Sequence, residues 1–134
     1  MNELKQIYDL KTDYRRIKMI QEASLDKKSY AGYKTENELL FGTNEWFNAI
    51  ELGIIPKYSI KGIISRVYMS GHNDYPEFEI ERNGDKTTWT REGIDEAYKV
   101  GKSIELIYVE QKYKRPKGII GEISKCVIQI KIFE

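Results

Sequence analysis

The chain has 134 residues, about one ordinary domain, with 40% hydrophobic and 32% charged residues, the balance of a folded protein and not of a disordered one. Its net charge is +1, so no global field draws it to nucleic acid or to a membrane surface. The single cysteine excludes an intramolecular disulfide and the cysteine-paired structural zinc motifs.

The opening MNELKQIYDLK has no apolar signal-peptide core, and no stretch approaches membrane-spanning length. The expectation is a cytoplasmic protein with no membrane role. Leu4, Ile7, Leu10, Tyr14, Ile17 and Ile20 recur at spacings of three and four, which predicts an amphipathic helix over 2–23. Thr12-Asp13 lowers helix propensity within it and is the place for a break. Packing on the chain's own sheet explains such a stripe. A homodimer seam through Ile7, Leu10, Tyr14 and Ile17 is the functional rival, because these positions also fit a–d spacing.

The polar stretch 24–35 reads as a connection, with some strand around 29–33. The next apolar run, Leu39 to Phe41, closes at Gly42. Thr43 or Asn44 can cap a short helix over 45–52, with Glu45 favourably placed in its first turn and Gly53 as its stop. Trp46, Phe47 and Ile50 give that helix an apolar face, a plug for one end of a core.

From residue 58 the pattern becomes β. YSIKGIISRVY over 58–68 is rich in β-branched residues, with a bend or bulge expected at Gly62. In PEFEIERNGDKTTWTR, Phe78 and Ile80 alternate with Glu77, Glu79 and Glu81, giving one greasy face and one acidic face. Asn83-Gly84 then predicts a two-residue type I′ hairpin joining 76–82 to 85–91. One helical turn is expected at 94–98, a strand at 103–109, a loop at 110–118 and a final strand at 123–133. In that last strand Cys126, Ile128, Ile130 and Ile132 alternate with polar and smaller residues.

The fold class is therefore α+β: an N-terminal amphipathic helix and a short second helix packed on a five-stranded, strongly bent antiparallel sheet, or on a small SH3-like or OB-like barrel closed to remove its edges. The expectation is a single domain over 1–134, mainly helical over 1–56 and barrel-like over 57–134.

Chemistry is sparse. His72, the lone histidine, has Asp74 close by in sequence but lacks a ligand set or a nucleophile elbow. Cys126 sits among isoleucines and reads as a small core residue with little thiolate. Glu77, Glu79 and Glu81 lie on a solvated face, unlike a catalytic carboxyl pair, and Lys86 can pair with one of them across the turn. Gly101-Lys102-Ser103 lacks the earlier glycine of a phosphate loop. No cofactor or metal site is expected.

The remaining candidate is a ligand-binding set: Tyr108, Lys112, Tyr113, Lys114, Arg115 and Lys117. From 112 to 117 it carries four bases and no acid. A non-catalytic binding module, most simply one for another protein, is the primary reading. Single-stranded nucleic acid or another polyanion bound at 112–117 is the alternative, since bases contact phosphates and tyrosines stack on unpaired bases. A small enzyme with a carboxylate site stands third.

Overall fold

The computed structural model describes residues 4–26, 32–34, 39–71, 75–117 and 121–133, with backbone alone at 114–117 and 121–122. It is α+β. Two helices, α1 (Tyr14–Leu25) and α2 (Asn44–Glu51), accompany six strands: β1 (Leu4–Asp9), β2 (Lys57–Met69), β3 (Pro76–Arg82), β4 (Asp85–Thr90), β5 (Ser103–Lys117) and β6 (Gly121–Phe133). The strands form one antiparallel sheet in the order β1-β6-β5-β2-β3-β4. β1 and β4 are its edges, so the sheet is not closed, consistent with the bent-sheet or barrel-like architecture expected.

The contacts divide the chain into two compact units. One comprises Met1–Asp9, Ser59–Ile107 and Gln129–Glu134; the other comprises Leu10–Tyr58 and Tyr108–Ile128.

In the first unit the hairpin is as the sequence dictates. Asn83 and Gly84 both take positive φ, 52° and 86°, and Arg82 pairs with Asp85 directly across the turn. The alternation then buries Phe78, Ile80 and Trp89 on one face. β2 joins β3 in antiparallel register with an irregularity between Ile64 and Arg66. The bulge expected at Gly62 thus falls just after it. Gly62 is needed for another reason, since a Cβ there would lie 2.6 Å from the Glu81 carbonyl oxygen.

The sixth strand is the main difference from the sequence reading. Residues 4–9 are not the start of a helix but the edge strand β1, paired with β6. A register irregularity between Gln6 and Tyr8 lets two successive residues, Ile7 and Tyr8, both be buried. A bulge of this kind erases the period-two pattern, and the residue that remains, Ile7, falls three before Leu10 and imitates a helical stripe.

In the second unit Leu10–Thr12 makes one 3-10 turn, and α1 begins after it. The break is where Thr12-Asp13 marked it: Asp13 is the N-cap, its carboxylate accepting from the Arg16 amide at 3.3 Å. Ile7, Leu10 and Ile17 are all internal, while Tyr14 is 74% exposed. With three of the four internal, one of them in the first unit, these residues do not make the expected dimer seam. α2 follows its predicted signals, with the Thr43 hydroxyl accepting from the Trp46 amide at 3.3 Å and Glu45 in the first turn.

A second revision concerns 110–117. The sequence reads as a loop because it is polar and contains Pro116, yet β5 continues through it to Lys117. Part of the pairing there is an isolated antiparallel bridge between Tyr33 and Tyr113, supported by the Lys34 amide donating to the Lys112 carbonyl at 2.7 Å. Of the stretch 29–33 expected to carry some strand, 29–31 lie outside the described residues.

Candidate functional site

Strand alternation sorts the second unit's sheet residues onto two faces. The inner face holds an aromatic column. Tyr33 meets Phe41 edge-on at 5.3 Å between ring centroids, Phe41 meets Trp46 at 4.6 Å, and Trp46 meets Phe47 edge-on at 5.0 Å. Tyr113 belongs to this column, its ring 5.7 Å from Tyr33. The Tyr33 hydroxyl is 3.1 Å from that of Ser124. Burial, with the Cys126 thiol nearby, pushes the Tyr33 phenol up to about 12.

The outer face is different in kind. Tyr58 from β2 and Tyr108 from β5 stack with centroids 5.3 Å apart and planes inclined by 26°, the offset-stacked arrangement that aromatic quadrupoles favour. The Lys125 ammonium lies over the Tyr108 ring, 5.7 Å from its centroid, within cation–π range. Partial desolvation, then the Glu110 carboxylate, raises the Tyr108 phenol above its ordinary value. Beside the stack a cavity of about 200 Å³ is lined by Pro56, Tyr58, Glu110, Lys112 and Ile123. Tyr58 is 42% exposed and Ile123 48%. Leu52 and Ile54 in the same unit are also exposed. The arrangement is two stacked rings, an exposed aliphatic side chain and both lysine and glutamate charges around a shallow cavity.

The six predicted ligand-binding residues are thus divided. Tyr108 and Lys112 stand at this outer face. Tyr113 faces the other way and is committed to the inner column. Lys114, Arg115 and Lys117 lie in β5 by their backbone, and their side chains fall outside what is described. A stacking platform at 112–117 needs its ring and its cations on one surface, and Tyr113 does not share a surface with Lys112, so the predicted cluster is not assembled as one site. Sequence reasoning missed Tyr58, Ile123 and Lys125, which come from other strands. Each is an ordinary strand residue by itself, and sheet order alone brings them beside Tyr108.

The other candidates do not gather into a site among the described residues. Cys126 is buried as expected. His72 and Asp74 lie outside the described residues. Glu79 accepts from the Ser65 hydroxyl at 2.9 Å, and Glu81 faces Lys86 across the hairpin as anticipated. Among the described residues no group of His, Cys, Asp and Glu is placed to hold a metal, and no helix is long and apolar enough to cross a membrane.

A protein-family model described as immunity protein RhsI2 matches residues 4–132. The curated proteins contain no match to the chain.

Proposed function

Because the chain belongs to the RhsI2 immunity-protein family, we propose that it binds a cognate toxin of the Rhs kind and blocks it by contact, with no catalytic step. The docking surface we assign is the outer face of the second unit. The Tyr58–Tyr108 stack, 5.3 Å between centroids, is the observation that carries this assignment. Each ring is held by the other, so docking against them orders little that is not already ordered. Tyrosine is also a favoured anchor of binding energy at protein interfaces. Exposed Ile123 supplies apolar area beside the rings, and Lys112, Lys125 and Glu110 give the face a charged rim able to pair with complementary charges on the toxin. With a lone, buried cysteine, the chain is suited to a reducing compartment, and the cytoplasm is where we place the encounter.

Growth rescue tests this directly. Cells producing the cognate toxin grow when the parental chain is co-expressed. A Tyr108→Ala, Ile123→Asp double variant, shown to be folded by circular dichroism, fails to protect and loses the toxin in a calorimetric titration. A folded double variant that protects and binds like the parent overturns the assignment of this face. A parental chain that binds no toxin at all overturns the function itself.

A further inference from the structure

The two edges of the sheet are treated differently. At β1 the Ile7 carbonyl accepts from the Ile94 amide at 3.3 Å, so the segment after β4 covers part of that edge. At β4 the register identifies what is left uncovered. Arg82 and Asp85 flank the two-residue turn, and the Arg91 amide donates to the Pro76 carbonyl at 2.9 Å. Hydrogen-bonded pairs alternate with non-bonded ones in an antiparallel ladder. The bonded pairs are therefore Arg82–Asp85, Ile80–Thr87 and Phe78–Trp89. It follows that the amides and carbonyls of Lys86, Thr88 and Thr90 point away from β3. Among the described residues none of these groups meets a partner.

We infer that β4 pairs with β4 of a second copy of this chain, antiparallel and about a two-fold axis through Thr88. The outward groups are self-complementary in that register. Thr88 bonds Thr88 of the second copy, and Lys86 bonds Thr90 of the second copy in both directions, which satisfies all three outward amides and all three outward carbonyls. A two-fold contact requires such symmetry of a patch with itself. Side chains agree. Lys86, Thr88 and Thr90 are exposed and lie on the acidic face of β3, because their partners there are Glu81, Glu79 and Glu77. Lys86 thus comes beside Thr90 of the second copy, whose ladder neighbour is Glu77. Opposite charges approach across the seam and like charges do not. Thr88 against Thr88 is a favourable cross-strand pair. Exposed edges commonly recruit a strand in this way. The surface belongs wholly to the first unit and owes nothing to the toxin-binding assignment.

Sedimentation of the purified full chain from micromolar to near-millimolar concentration reads the outcome. The parental mass rises from 15.8 kDa toward twice that value. Thr88→Pro deletes one outward amide without touching the β3 ladder, and it stays monomeric. Thr88→Val keeps the backbone and still dimerises. Should Thr88→Pro fail to fold, a crosslink gives the answer. Facing Thr88 positions lie about 5.5 Å apart in a bonded pair, within disulfide reach, and native Cys126 is buried. Oxidised Thr88→Cys is therefore captured as a covalent dimer. Lys86→Cys is not, because the two copies of that position are about 13 Å apart at four strand residues. A parent that stays monomeric throughout, a dimer that survives Thr88→Pro, loss of the dimer in Thr88→Val, or equal crosslinking at both positions each overturns the pairing.

Discussion

Tyr58 and Tyr108, fifty residues apart in sequence, hold each other nearly parallel on the outer face of β2 and β5, with ring centroids 5.3 Å apart. Neither ring is buried in the core, so on the docking face proposed above the pair is expected to matter more for binding than for folding. Tyr108→Ala is expected to weaken toxin binding by about 30-fold, on the order of 2 kcal/mol, the scale of an interface anchor. Its melting temperature should fall by a few degrees or less. Tyr108→Phe keeps the stack and should bind within about threefold of the parent if the ring supplies the affinity. Calorimetric titration of both variants checks this. A Tyr108→Phe loss as large as that of Tyr108→Ala would assign the affinity to the hydroxyl and not to the ring.

Gly93 and Gly84 both have positive φ, 74° and 86°, but their surroundings differ. A Cβ at Gly93 would lie 1.9 Å from the Ile7 carbonyl oxygen, whereas one at Gly84 would meet nothing within 4 Å. Both alanine variants pay for left-handed backbone, about 1–2 kcal/mol. Gly93→Ala must in addition push β1 away, and the total should reach about 3 kcal/mol or more. Urea titrations of the two variants give the difference. Equal losses would mean that the Gly93 turn relaxes without disturbing Ile7.

What the sequence made legible is what depends on neighbours in the chain. The Asn83-Gly84 hairpin, the Thr43 cap of α2 and the burial of Cys126 all follow from periods and caps within a few residues. Two failures have different causes. β1 was hidden because a bulge puts Ile7 and Tyr8 on the same side and breaks the alternation that marks a strand. The reach of β5 through 110–117 was hidden because its pairing with Tyr33 is fixed by a segment some eighty residues earlier. The candidate face shows the same limit. Tyr108 and Lys112 were visible as a local cluster, but Tyr58, Ile123 and Lys125 join them only through sheet order, and Tyr113 leaves them only through strand alternation.

Alkali should destabilise the fold in a defined window. The Tyr33 phenol is pushed up to about 12, mainly by burial, against an ordinary value near 10 in the unfolded chain. Below pH 10 both states keep the proton and the full stability is present. Between pH 10 and 12 the unfolded chain has released its proton while the folded one has not, so stability falls as pH rises. The loss from this group approaches about 2–3 kcal/mol across the window. Burial also raises Tyr98, whose hydroxyl donates to the Glu92 carbonyl at 2.6 Å, and this adds to the fall. Tyr33→Phe should be less stable at pH 8 by about 1 kcal/mol, through loss of its bond to Ser124, and should show a shallower decline above pH 10. Denaturant midpoints at pH 8, 10 and 11.5 test this. Parallel declines in parent and variant would mean that Tyr33 does not titrate with folding.

The two tryptophans fall one to each unit, Trp89 in the first and Trp46 in the second, and each is almost fully buried. Trp46→Phe therefore leaves a probe of the first unit, and Trp89→Phe leaves a probe of the second. We propose that residues 1–134 fold as a single domain, because β2, β5 and β6 each supply residues to both units, so that unfolding either unit frees strand residues that continue into the other. One cooperative event gives transitions that coincide whichever probe reports them. To compare the probes, each fluorescence curve is set against the far-ultraviolet dichroism of the same variant, which cancels the stability lost with the substituted ring. Coincidence within each variant supports one domain. A fluorescence midpoint displaced from the dichroism midpoint in opposite senses for the two variants would mean two domains that unfold separately.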